Sequence, residues 1–169
     1  MWGCASPVGG VPTEVELEQT PPWVILGLGS NTDAERVLLW ALTRLCQHWA
    51  PLRIAQPCQS ADTTGGGADY VNWVVAFPCD WELARLRAYA QALEGAWGAR
   101  TGGRVPLDID LLYHSASDCW HRQAGCAYWR SGILQLFPQW GARLEPQDTL
   151  PIRPWLPGSQ PADRGSHCL

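Results

Sequence analysis

"LDIDLLY", Leu107 to Tyr113, decides how this chain is read. Leu107, Ile109, Leu111 and Leu112 have the character of buried sheet, yet Asp108 and Asp110 put two carboxylates in the same stretch. Side chains alternate along a strand, so the two Asp share one face, about 7 Å apart. Two unpaired carboxylates in a half-buried strand repel each other and lose hydration, and a divalent cation between them offsets both costs. Mg²⁺ suits such a pair, because it takes one or two protein carboxylates and completes its octahedron with water and substrate phosphates. A nucleotide is then the implied partner. D-x-D is a common pattern, however, and an open sheet face with both Asp paired to Arg100 or Arg104 accounts for the same residues.

Just before the strand, "ARTGGR" offers mobile backbone and two Arg, Arg100 and Arg104, suited to closing over phosphates. The alternative is an ordinary connection with solvated Arg. Further back, "YVNWVVAF" alternates cleanly. Val71, Trp73, Val75 and Phe77 fall on one face, and Tyr70, Asn72, Val74 and Ala76 on the other. Asn72 thus projects a carboxamide, donor and acceptor together, able to read the edge of a polar heterocycle. A strand-edge side chain facing water is the plainer account.

The remaining elements follow from periodicity and punctuation. "WVILGLGSN" is an apolar strand breaking at Gly29-Ser30-Asn31. Thr32 with Glu35 three residues later forms a capping-box signature, and Leu38, Ala41, Leu42, Leu45 and Trp49 continue it as a helix as far as Pro51. "LRIAQPCQS" is a weaker strand interrupted by Pro57, followed by a flexible loop at Gly65, Gly66 and Gly67. Asp80 can cap a second helix with Leu83, Leu86, Ala90, Leu93 and Trp97 as its apolar stripe, stopped by Gly98. The order strand, helix, strand, strand, helix, strand predicts an α+β, ferredoxin-like antiparallel sheet with both helices on one face. Its first and last strands lie side by side at the centre. Residues 1–22, rich in Gly and Pro, read as a flexible leader, and 23–169 as one domain with a core at 23–113. Residues 114–169 read as a less regular extension, with a short helix in "SGILQLFPQW" ended by Pro138.

Composition narrows the function. All 12 basic residues are Arg and the net charge is −4, which argues against a basic face for nucleic acid or anionic membrane. Seven scattered Cys without a C-x-x-C read as reduced thiols, and the N-terminal residues lack a signal-peptide pattern. A cytoplasmic location is expected. Core packing is the simplest account of the 11 Trp.

Taken together and in order, "GLGSN", "YVNWVVAF", "ALEGAWG" and "PLDIDLLY" resemble the 6-hydroxymethyl-7,8-dihydropterin pyrophosphokinases of folate synthesis, over roughly Val24 to Tyr113. The resemblance implies the ferredoxin-like core, ATP as co-substrate and two Mg²⁺ ions held by Asp108 and Asp110. It implies that Asn72 hydrogen-bonds the pterin, with Tyr70 beside it, and that Ser60 or Ala61 supplies main-chain contacts. Gly29, Ser30 and Asn31 would form the floor under the pterin. Gln91 and Glu94 would contact the nucleoside of ATP, and Arg100, Arg104 and Arg130 its phosphates, Arg104 being counted with the two Asp as catalytic. The chain departs from the family in a shorter loop before the D-x-D strand, with Val105 where the family has Arg, and in lacking a Pro-His pair after it. Two other readings stay open: a relative that binds pterin or nucleotide without catalysis, and an unrelated metal-dependent nucleotide transferase.

Overall fold

A computed structural model describes residues 22–63 and 67–158; the leader before Pro22, Gly65 and Gly66 of the glycine loop, and the end of the chain after Gly158 lie outside the described residues. The strands are β1 (Trp23–Ser30), β2 (Arg53–Ile54), β3 (Cys58–Ser60), β4 (Tyr70–Pro78), β5 (Asp108–His114), β6 (Cys119–Trp120) and β7 (Ile152–Pro154). The helices are α1 (Ala34–His48), α2 (Leu83–Gly95) and α3 (Ala127–Leu136), with 3₁₀ turns at Ser115–Ser117 and Pro138–Ala142. The sheet runs β6-β5-β1-β4-β3-β7, with β2 also on β4, and every pairing is antiparallel. The α+β, ferredoxin-like order holds, with β1 between β4 and β5.

Alternation along β1 and β4 sorts the core into two layers. Val24, Leu26, Leu28, Val71, Val75 and Phe77 pack against the apolar stripes of α1 and α2, so these two helices do share one face. Ile25, Val74 and Ala76 point the other way, into a second core with Leu112, Trp129, Ile133 and Phe137. Residues Val24 to Ser30 are consequently all buried. That second layer is built by the C-terminal part, which is irregular in its connections but carries a full helix, α3.

α3 lies close to the sheet because glycines meet it. A Cβ on Gly27 would stand 2.9 Å from three ring atoms of Trp129, and one on Gly132 would stand 2.5 Å from Cγ2 of Val74. Trp129 therefore rests on a bare stretch of β1. The Trp residues serve packing as expected: Trp49, Trp129, Trp140 and Trp155 are all buried.

Two helix starts differ from expectation. No capping box forms at α1, whose N-cap is Asp33 in the left-handed region at φ 51°, without a side-chain cap. Thr32 Oγ1 donates to Asn31 Oδ1 and Glu35 Oε2 accepts from the Gly158 N–H, so both halves of the box are engaged elsewhere. At α2 the N-cap is Glu82, not Asp80, and the helix ends at Gly95, with Gly98 at φ 91° beyond it.

Candidate active site

On the second face of the sheet, beside Trp129 of α3, the strand register defines a floor. One row runs Asp108, Gly29, Asn72 across β5, β1 and β4, and the next runs Asp110, Gly27, Val74. Gly29 keeps the first row flat, since a Cβ there would sit 3.6 Å from Asn72 Oδ1 and 3.8 Å from Asp108 Cβ. Trp129 walls the second row. Two carboxylates and one carboxamide thus border a glycine floor with an indole at one side.

Each polar group has an identifiable environment. Asn72 is only 4% exposed, and its Nδ2 donates to Ser60 Oγ at 2.9 Å, so β3 fixes the orientation of the amide. Tyr70 stands opposite Ser60 in the β3–β4 pairing. Burial raises the pKa of Tyr70, and Asp62 and Asp108 raise it further against the opposing pull of Arg100. Tyr70, Asn72, Ser60 and Asp108 are therefore one neighbourhood, with Ala61 following at the end of β3.

The Asp108 carboxyl is pushed up to about 6, first by burial and then by Asp110, while Arg100 lowers it and Glu94 raises it. Arg100 Nη2 donates to Asp108 Oδ1. Of the two Arg weighed as partners for the acidic strand, Arg100 takes that part. Asp110 faces a different group: His121 Nε2 lies 3.7 Å from its Oδ1. His121 lacks the Pro-His signature, since Trp120 precedes it. The usable signal is the continuation of β6, in which the His121 N–H donates to Leu112 O at 2.8 Å and brings the ring beside β5.

The glycine-rich segment before β5 is a tight turn and not an open lid. Thr101 and Arg104 exchange main-chain hydrogen bonds at 3.1 and 2.9 Å. Gly102 and Gly103 between them have φ 54° and 76°, the positive values that a type I′ hairpin turn requires at both central positions. Asn31 clamps this turn to β1. Its Nδ2 donates to Gly103 O at 2.7 Å and its Oδ1 accepts from the Val105 N–H at 2.6 Å. The Asn31 amide is thereby used in shaping the loop, and Arg104 is exposed at the turn.

The remaining expected residues are more dispersed. Glu94, near the end of α2, accepts from the Ile109 N–H through Oε1 at 2.7 Å, and Gln91, one turn earlier, is exposed. Arg130 donates from Nε to Leu144 O at 2.7 Å. It lines a cavity of about 480 Å³ with Ser131, Gln135 and Asp148 on the outer flank of α3, and neither Asp108 nor Asp110 is among the lining residues. The structure does not bring Arg130 to the two carboxylates. Among the described residues no group of three or more His, Cys, Asp or Glu could hold a metal ion.

A protein-family model described as 7,8-dihydro-6-hydroxymethylpterin-pyrophosphokinase (HPPK) matches residues 25–143. The chain belongs to this family. The reaction of the pyrophosphokinase family is transfer of pyrophosphate from ATP to hydroxymethyldihydropterin in folate synthesis. The match runs past Tyr113 through His121, α3 and the Pro138–Ala142 turn, so the second layer of the fold is part of the pyrophosphokinase domain. No curated protein matched the chain. Among the described residues no helix is long and apolar enough to cross a membrane.

Proposed function

We propose that this chain catalyses Mg²⁺-dependent transfer of the β,γ-diphosphate of ATP to the hydroxymethyl group of 6-hydroxymethyl-7,8-dihydropterin, releasing AMP. The observation that carries the reading is the row Asp108, Gly29, Asn72, in which a carboxylate and a carboxamide flank a glycine, and it supports a cation on the one side and a polar heterocycle on the other. Asp108 and Asp110 are the residues that would hold Mg²⁺, as two ions. Their hard oxygen donors, and a proton affinity at Asp108 raised by burial and by the neighbouring carboxylate, fit a site completed by phosphate oxygens. The cation would supply charge neutralisation on the diphosphate.

The protein's own contribution is positioning and electrostatics. Asn72, fixed by Ser60, hydrogen-bonds the pterin edge, with Ala61 and Tyr70 beside it and Asn31 shaping the floor from below. The pterin hydroxyl oxygen gives up its proton to solvent and forms its bond to the β-phosphorus while the bond from that phosphorus to the α-bridging oxygen breaks, and AMP leaves with the electron pair. Arg100 exchanges Asp108 for phosphate when the carboxylate takes the cation, with Arg104 at the turn as the second cationic group. Gln91 stays on the nucleotide side of the reading, while Glu94 is engaged with the Ile109 N–H and Arg130 with Leu144 O. Trp129 and the second core exclude water from the pterin side of the floor. A cytoplasmic location, with ATP and pterin as small-molecule partners and neither nucleic acid nor membrane, belongs to the same proposal. The free thiols at Cys58, Cys79, Cys119 and Cys126 support it.

One observation favours a second reading, a catalytically impaired relative that binds pterin or nucleotide. Val105 is buried and the turn before it is clamped, which limits how far Arg104 travels. AMP formation from ATP, Mg²⁺ and the hydroxymethyl-dihydropterin separates the two. AMP above background supports catalysis, and pterin binding by calorimetry with no AMP supports the binding module.

A further inference from the structure

β5 carries both carboxylates, and its outer edge is supported for only part of its length. β6 pairs with Tyr113 and His114 alone, so the segment holding Asp108 and Asp110 has no strand partner on that side among the described residues. A strand edge without a partner leaves main-chain N–H groups unsatisfied and the local backbone loosely held. The Ile109 N–H, midway between the two Asp, is satisfied instead by a side chain, Glu94 Oε1 at 2.7 Å.

Helix stability does not explain a carboxylate at that position. Glu94 is the penultimate residue of α2, whose last turn has no basic residue, and the C-terminal end of a helix disfavours negative charge. It also lies close enough to Asp108 to act on that carboxyl electrostatically. Its main-chain carbonyl meanwhile accepts from the Trp97 N–H at 3.1 Å and so closes the end of α2. One residue thus ties the helix end to the strand between the two acidic positions.

We propose that Glu94 is a positioning residue for the cation platform, holding the Asp108–Asp110 segment of β5 in register through the Ile109 N–H and touching neither cation nor nucleotide. The proposal rests on the assignment of Mg²⁺ to Asp108 and Asp110, and it replaces the nucleoside contact that the resemblance implies for Glu94. What the site needs from Glu94 is a hydrogen-bond acceptor. Charge is dispensable.

Glu94→Ala and Glu94→Gln, compared in the full chain, test this. Amide exchange at Ile109 reports the bond, and Mn²⁺ binding in the presence of ATP, followed by electron paramagnetic resonance, reports the platform without requiring turnover. The expected result is that Glu94→Ala speeds Ile109 exchange at least tenfold and weakens Mn²⁺ binding severalfold, while Glu94→Gln keeps both near the unsubstituted protein. If Glu94→Gln is as impaired as Glu94→Ala, the carboxylate charge is what matters and the proposal is overturned. Unchanged Mn²⁺ binding in Glu94→Ala despite faster exchange overturns it as well. Should the unsubstituted protein bind no Mn²⁺ while Ile109 exchange still depends on Glu94, the cation assignment fails and the anchoring of β5 stands.

Discussion

Asn31 holds Val105 from two directions: its main-chain N–H donates to Val105 O at 3.1 Å, and its side-chain Oδ1 accepts from the Val105 N–H at 2.6 Å. With the further bond from Nδ2 to Gly103 O, one side chain at the end of β1 sets the path of the chain into β5. Asn31→Ala leaves the main-chain bond and removes the side-chain bonds to Val105 and Gly103, together with those to Thr32 Oγ1 and Ala68 O, at an expected cost of about 2 kcal/mol. Urea denaturation checks the loss. Because the freed turn carries Arg100 and Arg104, the same variant is expected to raise the KM for ATP more than it lowers kcat.

Metal-free stability should fall as pH rises through the acidic range. Asp108 is held near 6 in the folded protein, against 3.8 ordinarily, chiefly by burial and by Asp110. The folded state therefore binds the extra proton between about 4 and 6, and deprotonation across that window costs on the order of 2 kcal/mol after partial solvent screening is allowed for. Chemical denaturation at pH 4.0 and 6.5 with chelator present measures it. Asp108→Asn is expected to flatten this part of the profile, and Mg²⁺ to stabilise the protein at the higher pH.

The two floor glycines should respond differently to a methyl group. At Gly27 the added Cβ meets Trp129 ring atoms at 2.9 Å, and α3 must shift. Gly27→Ala is expected to lower stability by about 1 to 3 kcal/mol. At Gly29 the nearest atoms lie 3.6 to 3.8 Å away, ordinary contact distances, so Gly29→Ala should fold with nearly unchanged thermal stability. It should nonetheless weaken pterin binding by calorimetry, since the methyl rises from the floor between Asp108 and Asn72.

Much of this was legible in the sequence, and the gaps have physical causes. Alternation in "YVNWVVAF" sorted β4 correctly onto two faces, and the spacing of Asp108 and Asp110 placed both on the face that also carries Asn72. The second layer went unread although β1 signalled it: Val24 to Ser30 lacks polar alternation, which only a strand covered on both faces tolerates. α3 was hard to see because its inner face uses Gly132 between Trp129 and Ile133, so the apolar stripe has a hole where the sheet comes closest. The "TGGR" segment is ambiguous in sequence because two glycines suit a flexible loop and a type I′ turn equally well. Asn31, more than 70 residues distant, decides between them through tertiary contact.

Whether the two carboxylates hold the cation is decided by Mg²⁺-dependent ATP binding, measured by calorimetry in the unsubstituted protein and in Asp110→Asn, whose fold is checked by circular dichroism. ATP binding is expected to strengthen on adding Mg²⁺ in the unsubstituted protein, and this enhancement to be lost in a normally folded Asp110→Asn. Equal enhancement in both proteins would contradict it, because the carboxylates of "LDIDLLY" would then be structural and the cation would bind elsewhere.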